Sequence, residues 1–298
     1  MTGNVSIDLS LENIWQVWRQ FRKGKKFGDE LDEFFYYLER NLFKLQIDLN
    51  VGTYRHGGYK KFIVSDNKRR EVSVATVRDR FVHRLIYDYL VGIYDKTFIH
   101  DVWSCREGKG LNAAWERCSY LMQSGDYVWK GDVKKFFDSV DRDVLYAILR
   151  HRIKDEKTLN LLREVIYSYP AGMPIGNLTS QIFANIYLNE LDRFVKYEIK
   201  PKAYMRYGDD FLIFMDDVSG LIACRVLVKN FLHDFLGLNL NPKSDFILKP
   251  SSGLRFLGKV FYGNGNSVLN GRNLRRIEIR MNLSNYSSYH ALTDYGGG

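Results

Sequence analysis

The chain has 298 residues, 45% of them hydrophobic and 15% aromatic, which supplies a substantial core and excludes a disordered or fibrous protein. Lys and Arg number 44 against 35 Asp and Glu, and the net charge of +9 points to a polyanionic partner, nucleic acid ahead of membrane because no basic amphipathic anchor stands out. Cys105, Cys118 and Cys224 have no paired spacing, which argues against a disulfide framework or a cysteine zinc site. The opening MTGNVSIDLS lacks a secretory pattern and no run is long enough to span a membrane, so the expectation is a reduced, cytoplasmic protein.

In chain order, LENIWQVWRQFR (residues 11–22) spaces Ile14, Trp15, Val17, Trp18 and Phe21 for one helix face. GKKFG interrupts, and DELDEFFYYLERNLFKLQIDL predicts a second amphipathic helix, acidic at its start as the helix dipole favours. The β-prone runs around Asp66-Asn67 predict a hairpin carrying Lys60, Lys61, Lys68, Arg69 and Arg70. A further helix is predicted through FVHRLIYDYLVGIYDKTF.

DYVWKGDVKKFFDSVDRDVLYAILRHRI reads as a strand through Val128 and Trp129, a turn, and a helix from Val144 to Ile153 capped by Asp141. YPAGMPIGN is a loop, since Pro170 and Pro174 exclude regular structure. A long helix, LTSQIFANIYLNELDRFVKYEIK, then runs until Pro201. A hairpin YMRYGDDFLIF, a helix LIACRVLVKNFLHDFLG and a strand-rich stretch around FLGKVFY complete the pattern. There is no internal repeat and no low-complexity linker.

The hairpin poses a chemical problem. Gly208 and Asp209 suit the centre of a two-residue type II′ turn, because glycine takes positive φ without penalty. That accounts for the turn and leaves Asp210 beside Asp209, two like charges among Phe211, Leu212, Ile213 and Phe214, whose low dielectric strengthens the repulsion. A divalent cation would remove the conflict, and magnesium suits hard oxygen ligands that leave places for phosphates. On these residues alone a solvated turn remains the commoner account. Asp132 closes a predicted apolar strand, where it would reach the edge of a sheet. With Asp209 it would hold two ions roughly 3.5–4 Å apart, the arrangement that stabilises both oxygens of a phosphoryl transfer.

The ordered segments GDVKKFFDSV, GMPIGNLTSQIFANIYLN, RYGDDF, LNPKSDF and RFLG resemble the palm of a reverse transcriptase, and KRREVSVATVRDRFVHRLI and FIHDVWSCREGKG resemble the finger segments before it. The resemblance runs from about residue 11 to 280, and IGNLTSQ (residues 175–181) is similar to the subfamily of diversity-generating retroelements. Most other reverse transcriptases carry glutamine where Ile175 stands and proline where Gln181 stands. The departure from the commonest pattern is Gly208, where valine, alanine or methionine is more usual.

The resemblance implies an α/β (α+β) right-hand polymerase fold: N-terminal helices and fingers over 1–125, palm over 126–252, primer grip and a short helical thumb over 253–298. It implies Asp132, Asp209 and Asp210 as catalytic acids that hold two Mg2+ ions together with the Val133 backbone, Asp132 and Asp209 as the principal ligands and Asp210 adjacent and supporting, with Mn2+ as an alternative. Lys243 would protonate the departing pyrophosphate. The incoming dNTP would meet Lys68, Arg70, Val133, Phe137, Ile175 and Gly176, with Phe137 excluding a 2′-hydroxyl. Arg78, Arg80, Arg106, Lys109, Gln181, Phe256, Leu257 and Gly258 would face template or primer. Without the family, Phe137 reads as an ordinary core residue, and Lys68 and Arg70 read equally as a solvated basic turn. Ile175 cannot hydrogen-bond, so checking of the templating pair should be looser, with errors concentrated opposite template adenine. The implied activity is RNA-directed DNA synthesis making mutagenised cDNA. Its partners would be a template-repeat RNA, a primer or cDNA strand and a small basic, oligomeric accessory protein. The alternatives are a reverse transcriptase of retron, group II intron or phage-defence lineage, and a polymerase-like fold that only binds RNA.

Overall fold

The computed structural model describes residues 6–26, 28–65 and 69–280. Helix α1 (Leu11–Arg22) starts at Ser10, whose side chain accepts from the Asn13 N–H, and buries Ile14, Val17, Trp18 and Phe21 on one face. The single helix predicted next is two, α2 (Asp29–Tyr36) and α3 (Leu38–Val51), broken at Tyr37 (φ −105°, ψ 31°). The Asn41 side-chain amide donates to the Phe34 carbonyl at 3.0 Å, and so takes the place of the N–H that a continuous helix would offer it. Strands β1 (Tyr59–Ser65) and β2 (Arg69–Ala75) pair antiparallel from Tyr59↔Ala75 to Ser65↔Arg69. The Asp66-Asn67 turn and Lys68 lie outside the described residues.

Helix α4 (Val77–Tyr94) begins four residues before the predicted start, because Thr76 caps it by accepting from the Asp79 N–H. Helix α5 (Leu111–Leu121) and, later, α8 (Glu156–Tyr167) are segments to which the sequence reading assigns no helix. Between them come β3 (Tyr127–Asp132), the single turn α6 (Phe136–Ser139) and α7 (Arg142–Arg152), the last capped by Asp141 as expected. Helix α9 (Leu178–Arg193) passes into a π-helical stretch, Phe194–Ile199, in place of the uninterrupted helix predicted. Then follow β4 (Ala203–Tyr207), β5 (Asp210–Met215), α10 (Val218–Leu236), β6 (Phe246–Leu248), β7 (Leu254–Phe256), β8 (Lys259–Phe261), β9 (Ser267–Leu269) and α11 (Gly271–Arg280). The part of the expected thumb after residue 280 lies outside the described residues. Among the described residues no helix is long and apolar enough to cross a membrane.

The chain divides into two compact units. One comprises Met1–Phe98, Lys135–Glu190 and His233–Leu238. In it Trp18 and Phe21 meet Phe81 of α4 edge-on at 5.7 and 5.8 Å, and Leu42, Leu45 and Leu49 of α3 are buried. The other comprises Ile99–Lys134, Leu191–Leu232 and Asn239–Gly298. Its four-stranded antiparallel sheet has the order β4-β5-β3-β6, and a three-stranded sheet has the order β7-β8-β9. Strand alternation sends Val128, Met205, Leu212 and Phe214 into one cluster with Trp115 and Cys118 of α5 and Leu254, Phe256 and Phe261. The opposite face carries Trp129 against Phe211, rings 5.3 Å apart and nearly perpendicular.

Candidate active site

Two features of the four-stranded sheet bring the acids to one end. Strand β3 terminates at Asp132, and the register pairs Asp132 with Asp210 across β3 and β5. The β4–β5 hairpin closes at Tyr207↔Asp210, which leaves Gly208 and Asp209 as the two turn residues the sequence predicts. Gly208 has φ +65°, the conformation for which glycine is suited. Burial, then the charge of Asp132, then that of Asp210 push the Asp209 carboxyl up to about 7. Three carboxylates at one end of a sheet, with the charges of Asp132 and Asp210 acting on a part-buried Asp209, are a donor set that fits a hard divalent cation.

Each acid has its own supports. The Asn241 side-chain amide donates to Asp132 Oδ2 at 2.9 Å, and the Asn241 N–H donates to the Asp132 carbonyl at 2.8 Å. Lys134 N–H donates to the Asn239 carbonyl at 2.8 Å, so residues 239–241 continue the pairing of the β3 end around a Val133↔Leu240 bridge. Asp210 lies 3.2 Å from the Lys130 ammonium. The Asp209 turn is held from beneath by Arg206, which is fully buried and donates to the Gly208 carbonyl at 2.8 Å. Arg206 also grips Asp192 through two bonds of 2.7 and 2.6 Å, and Tyr204 donates to the same carboxylate at 2.7 Å. The Gly208 N–H donates to Ser104 Oγ at 2.9 Å. Both hydrogen-bonding groups of the turn's glycine are thereby anchored, which aims Asp209.

Among the described residues no three His, Cys, Asp or Glu side chains form a cation cluster. The donors in place are the carboxylates of Asp132, Asp209 and Asp210, the last with one oxygen 3.2 Å from the Lys130 ammonium, and the neighbouring main chain of Val133, whose own side chain is buried.

The other unit brings a second group of expected residues together. The loop Ile175–Asn177 is strapped to β2: the Ser73 N–H donates to the Ile175 carbonyl at 2.9 Å, and Asn177 donates to the Ser73 carbonyl at 2.6 Å. Gly176 has φ +105°, and a Cβ there would lie 2.5 Å from Val72 Cγ1. The Phe137 carbonyl accepts from the Met173 N–H at 2.7 Å, so the turn bearing half-buried Phe137 is tied to the same loop. Ile175 is half-buried, while Gly176, Gln181 and Arg70 are exposed. Lys243 is exposed in a short turn two residues beyond Asn241.

Several expected nucleic-acid contacts are committed to the protein itself. Arg78 donates to the Arg55 carbonyl at 3.0 Å, pairs with Asp48 at 3.4 Å and lies 4.7 Å over the Tyr54 ring. Arg106 donates to the Ile99 carbonyl at 3.0 Å, and Lys109 to the His100 carbonyl at 3.0 Å while lying 4.0 Å over Trp103. Arg80 is half-buried, with Nε lacking a hydrogen-bond partner. The Phe256 side chain is 1% exposed and faces the core, because alternation along β7 turns Leu254 and Phe256 inward and Arg255 outward. Leu257 and Gly258 form the β7–β8 turn, with φ 45° and 85°.

The residues that the sequence reading passed over are Lys130, Asp192, Arg206, Ser104 and Asn241. Their signal was present in part. Lys130 and Arg206 are charges inside otherwise apolar strands, which low dielectric tolerates only beside a partner, and Asn241 precedes a proline, as a turn-capping residue does.

Comparison with known proteins agrees with this geometry. Residues 59–261 match the family described as reverse transcriptase (RNA-dependent DNA polymerase). An uncharacterized 91 kDa protein in the cob intron of Schizosaccharomyces pombe is 32% identical over 139 residues, 43% of this chain and 17% of that one. The group II intron-encoded protein LtrA of Lactococcus lactis subsp. cremoris is 25% identical over 170 residues, 53% of this chain and 28% of LtrA. The retron Ec73 reverse transcriptase of Escherichia coli is 30% identical over 100 residues, 29% and 32% of the two chains. The apo telomerase of Candida tropicalis superposes with a TM-score of 0.56 at 10% identity, covering 72% of this chain and 49% of the telomerase, a likeness of fold. The chain spans less than two thirds of the length of the curated relatives it matches first, between 17% and 63%. With the mixed α/β fold of the right-hand polymerases and the family match over most of its length, the chain belongs to the reverse transcriptase family.

Proposed function

We propose that the chain is an RNA-directed DNA polymerase that extends a primer by copying a template RNA, and that it serves a diversity-generating retroelement. The observation that carries the first part is the meeting of Asp132 with Asp209 at the end of the sheet. When bound there, divalent cations, magnesium or alternatively manganese, would stabilise the entering and leaving oxygens of nucleotidyl transfer. Asp132, Asp209, Asp210 and the Val133 main chain are the residues that would hold them, Asp132 and Asp209 as the principal ligands. Asn241 and Arg206 keep those carboxylates aimed, so little reorganisation is needed as charge develops. Lys243 carries an ammonium proton on a flexible stem, suited to meeting a departing pyrophosphate. Arg70 offers a planar fork for phosphate oxygens, and Lys68 a compact charge. Phe137 would bar a 2′-hydroxyl, and the Leu257-Gly258 turn would seat the primer end.

The retroelement assignment rests on Ile175 and Gln181 within IGNLTSQ. An apolar side chain offers no hydrogen bond with which to penalise a mispair, so synthesis would be error-prone opposite adenine, and the product a mutagenised cDNA. A template-repeat RNA and a small basic, oligomeric accessory protein are the partners of this reading, and the cytoplasm its setting. A second reading, a reverse transcriptase of intron or retron lineage, draws support from the intron-encoded and retron relatives.

One assay tests both levels: purified protein, a primed RNA template, Mg2+ and labelled dNTPs, with products sequenced. Wild-type protein is expected to extend the primer, and Asp209→Asn to lose about 1,000-fold or more while keeping its folded spectrum. Ile175→Gln is expected to lower misincorporation opposite template adenine. Equal error in the two proteins would remove the retroelement role of Ile175 and leave the intron or retron reading. No extension by the wild type, where a known reverse transcriptase succeeds, would leave an RNA-binding protein.

A further inference from the structure

Strand β2 pairs with β1 along one edge, and the loop before α9 occupies its other edge. Three successive main-chain groups of that edge are met in turn. The Ser73 N–H donates to the Ile175 carbonyl at 2.9 Å, the Asn177 side-chain nitrogen donates to the Ser73 carbonyl at 2.6 Å, and the Asn177 side-chain oxygen accepts from the Ala75 N–H at 3.3 Å. Ser73, Ala75 and Asn177 are all buried, so none of these groups can bond to water instead. An asparagine directly before a helix ordinarily caps it. Asn177 points both ends of its amide at β2, where a donor and an acceptor side by side stand in for the main chain of a neighbouring strand.

The rest of the loop is tied as closely. The Met173 N–H donates to the Phe137 carbonyl at 2.7 Å, and the Ser180 hydroxyl donates to the Pro174 carbonyl at 2.7 Å. Between these bonds and the amide, Gly176 passes so near Val72 that a side chain has no room. Ile175, half-buried at the centre, has no polar group with which to place itself. Its side chain therefore inherits its position from its own main chain, and that main chain is held to β2 by one bond of its own and by the two of Asn177.

We propose that Asn177 is a positioning residue for specificity: its amide clamps the loop to β2, sets where Ile175 and Gly176 stand, and so governs nucleotide affinity and the choice of mispairs rather than the rate of the chemical step. This rests on the polymerase reading above, with Ile175 and Gly176 facing the incoming dNTP. Without the amide, the Ser73 carbonyl and the Ala75 N–H are left buried and unpaired, and a single main-chain bond remains to hold the loop. A surface that shifts beneath the new pair discriminates less among mispairs of every kind. Errors then rise opposite all template bases, and any excess opposite adenine shrinks.

Three variants test it. Asn177→Leu is close in size and cannot hydrogen-bond, and Asn177→Asp keeps the acceptor while losing the donor. Tyr169→Phe is the control: Tyr169 Oη lies 3.2 Å from Ser73 Oγ, so this change loosens the side chain of the same serine and spares its main chain. Single-nucleotide addition on a primed RNA template gives apparent dNTP affinity and maximal rate separately, and sequenced products give the error at each template base. Both Asn177 variants are expected to weaken dNTP affinity about 10-fold with the maximal rate within about three-fold of wild type. Their ratio of errors opposite adenine to errors opposite the other bases should fall at least about three-fold. Amide hydrogen exchange at Ser73 and Ala75 should be faster in both, and Tyr169→Phe should match wild type in affinity and error ratio. Wild-type affinity and error ratio in both Asn177 variants would overturn the proposal with the polymerase reading intact. So would an equal shift in Tyr169→Phe, or exchange at Ser73 and Ala75 no faster in Asn177→Leu. A wild-type protein that extends with no excess error opposite adenine would remove the retroelement reading, and the affinity measurement would still decide the role of Asn177. A wild-type protein that does not extend would instead remove the polymerase reading.

Discussion

At Gly176 the main chain has φ +105° and passes so close to Val72 that any β-carbon would lie 2.5 Å from its Cγ1. Both constraints act on the loop that carries Ile175, and both are met only without a side chain. Gly176→Ala should therefore cost about 2 kcal/mol or more, from backbone strain plus overpacking, and should loosen the Ser73–Ile175 strap. Chemical denaturation gives the stability change, and amide hydrogen exchange at Ser73 reports the strap. Unchanged protection of that amide would show that the loop tolerates the methyl group. Gly208 is a different case: nothing lies within 4 Å of its would-be Cβ, so only its φ of +65° asks for glycine.

Among the elements, α4 carries a polar network that its amphipathic pattern does not announce. Asp79, buried at 0% exposure, accepts from Tyr54 at 2.8 Å, the Gly57 N–H at 3.0 Å and Thr76 at 2.7 Å. One turn further on, His83 Nε2 lies 3.0 Å from His56 Nε2, and the His56 ring stacks on Tyr59 of β1. Helix α4 is thereby joined to the base of the β1–β2 hairpin. Burial, then the neighbouring His56, lower the His83 pKa to about 3, so the ring is neutral in the folded protein. In the unfolded chain it would take up its proton near 6.5. A folded-state pKa lowered in this way gives stability that is intact above pH 6.5 and is lost as pH falls towards 3. The loss is at most about 1.4 kcal/mol per pH unit. Thermal unfolding between pH 7.5 and 4.5 should show this decline, and His83→Gln, which cannot titrate, should flatten it. Parallel curves for the two proteins would place the acid sensitivity elsewhere.

For the whole molecule, the excess of 44 basic over 35 acidic residues has its consequence in binding to nucleic acid. Part of that charge is spent internally, since Arg78, Arg106, Arg117 and Arg206 hold carboxylates or carbonyls of the protein. The remainder should still make affinity for a primer–template duplex fall steeply with salt. With about five phosphate contacts the loss from 50 to 200 mM salt would be roughly 100-fold or more. Fluorescence anisotropy across that range measures the slope, and affinity independent of salt would mean that the basic excess does not line the binding surface.

The sequence by itself determined the local chemistry: helix α1, the Asp141 cap, the β4–β5 hairpin with Gly208 and Asp209 at its centre, and the candidate acids Asp132, Asp209 and Asp210. These follow from periodicity and turn preference, which act over a few residues. It did not determine the break at Tyr37, where a distant-looking amide, Asn41, replaces a helical hydrogen bond. Only the tertiary structure decided that Asn241 would bind Asp132, that Arg206 would join Asp192 to the Gly208 turn, and that Phe256 would face the core. It also decided that Lys130 would meet Asp210 and the Arg255 carbonyl together. Each of those partners is chosen by strand register and by the cost of leaving a buried polar group unpaired, and both depend on which segments the fold brings side by side.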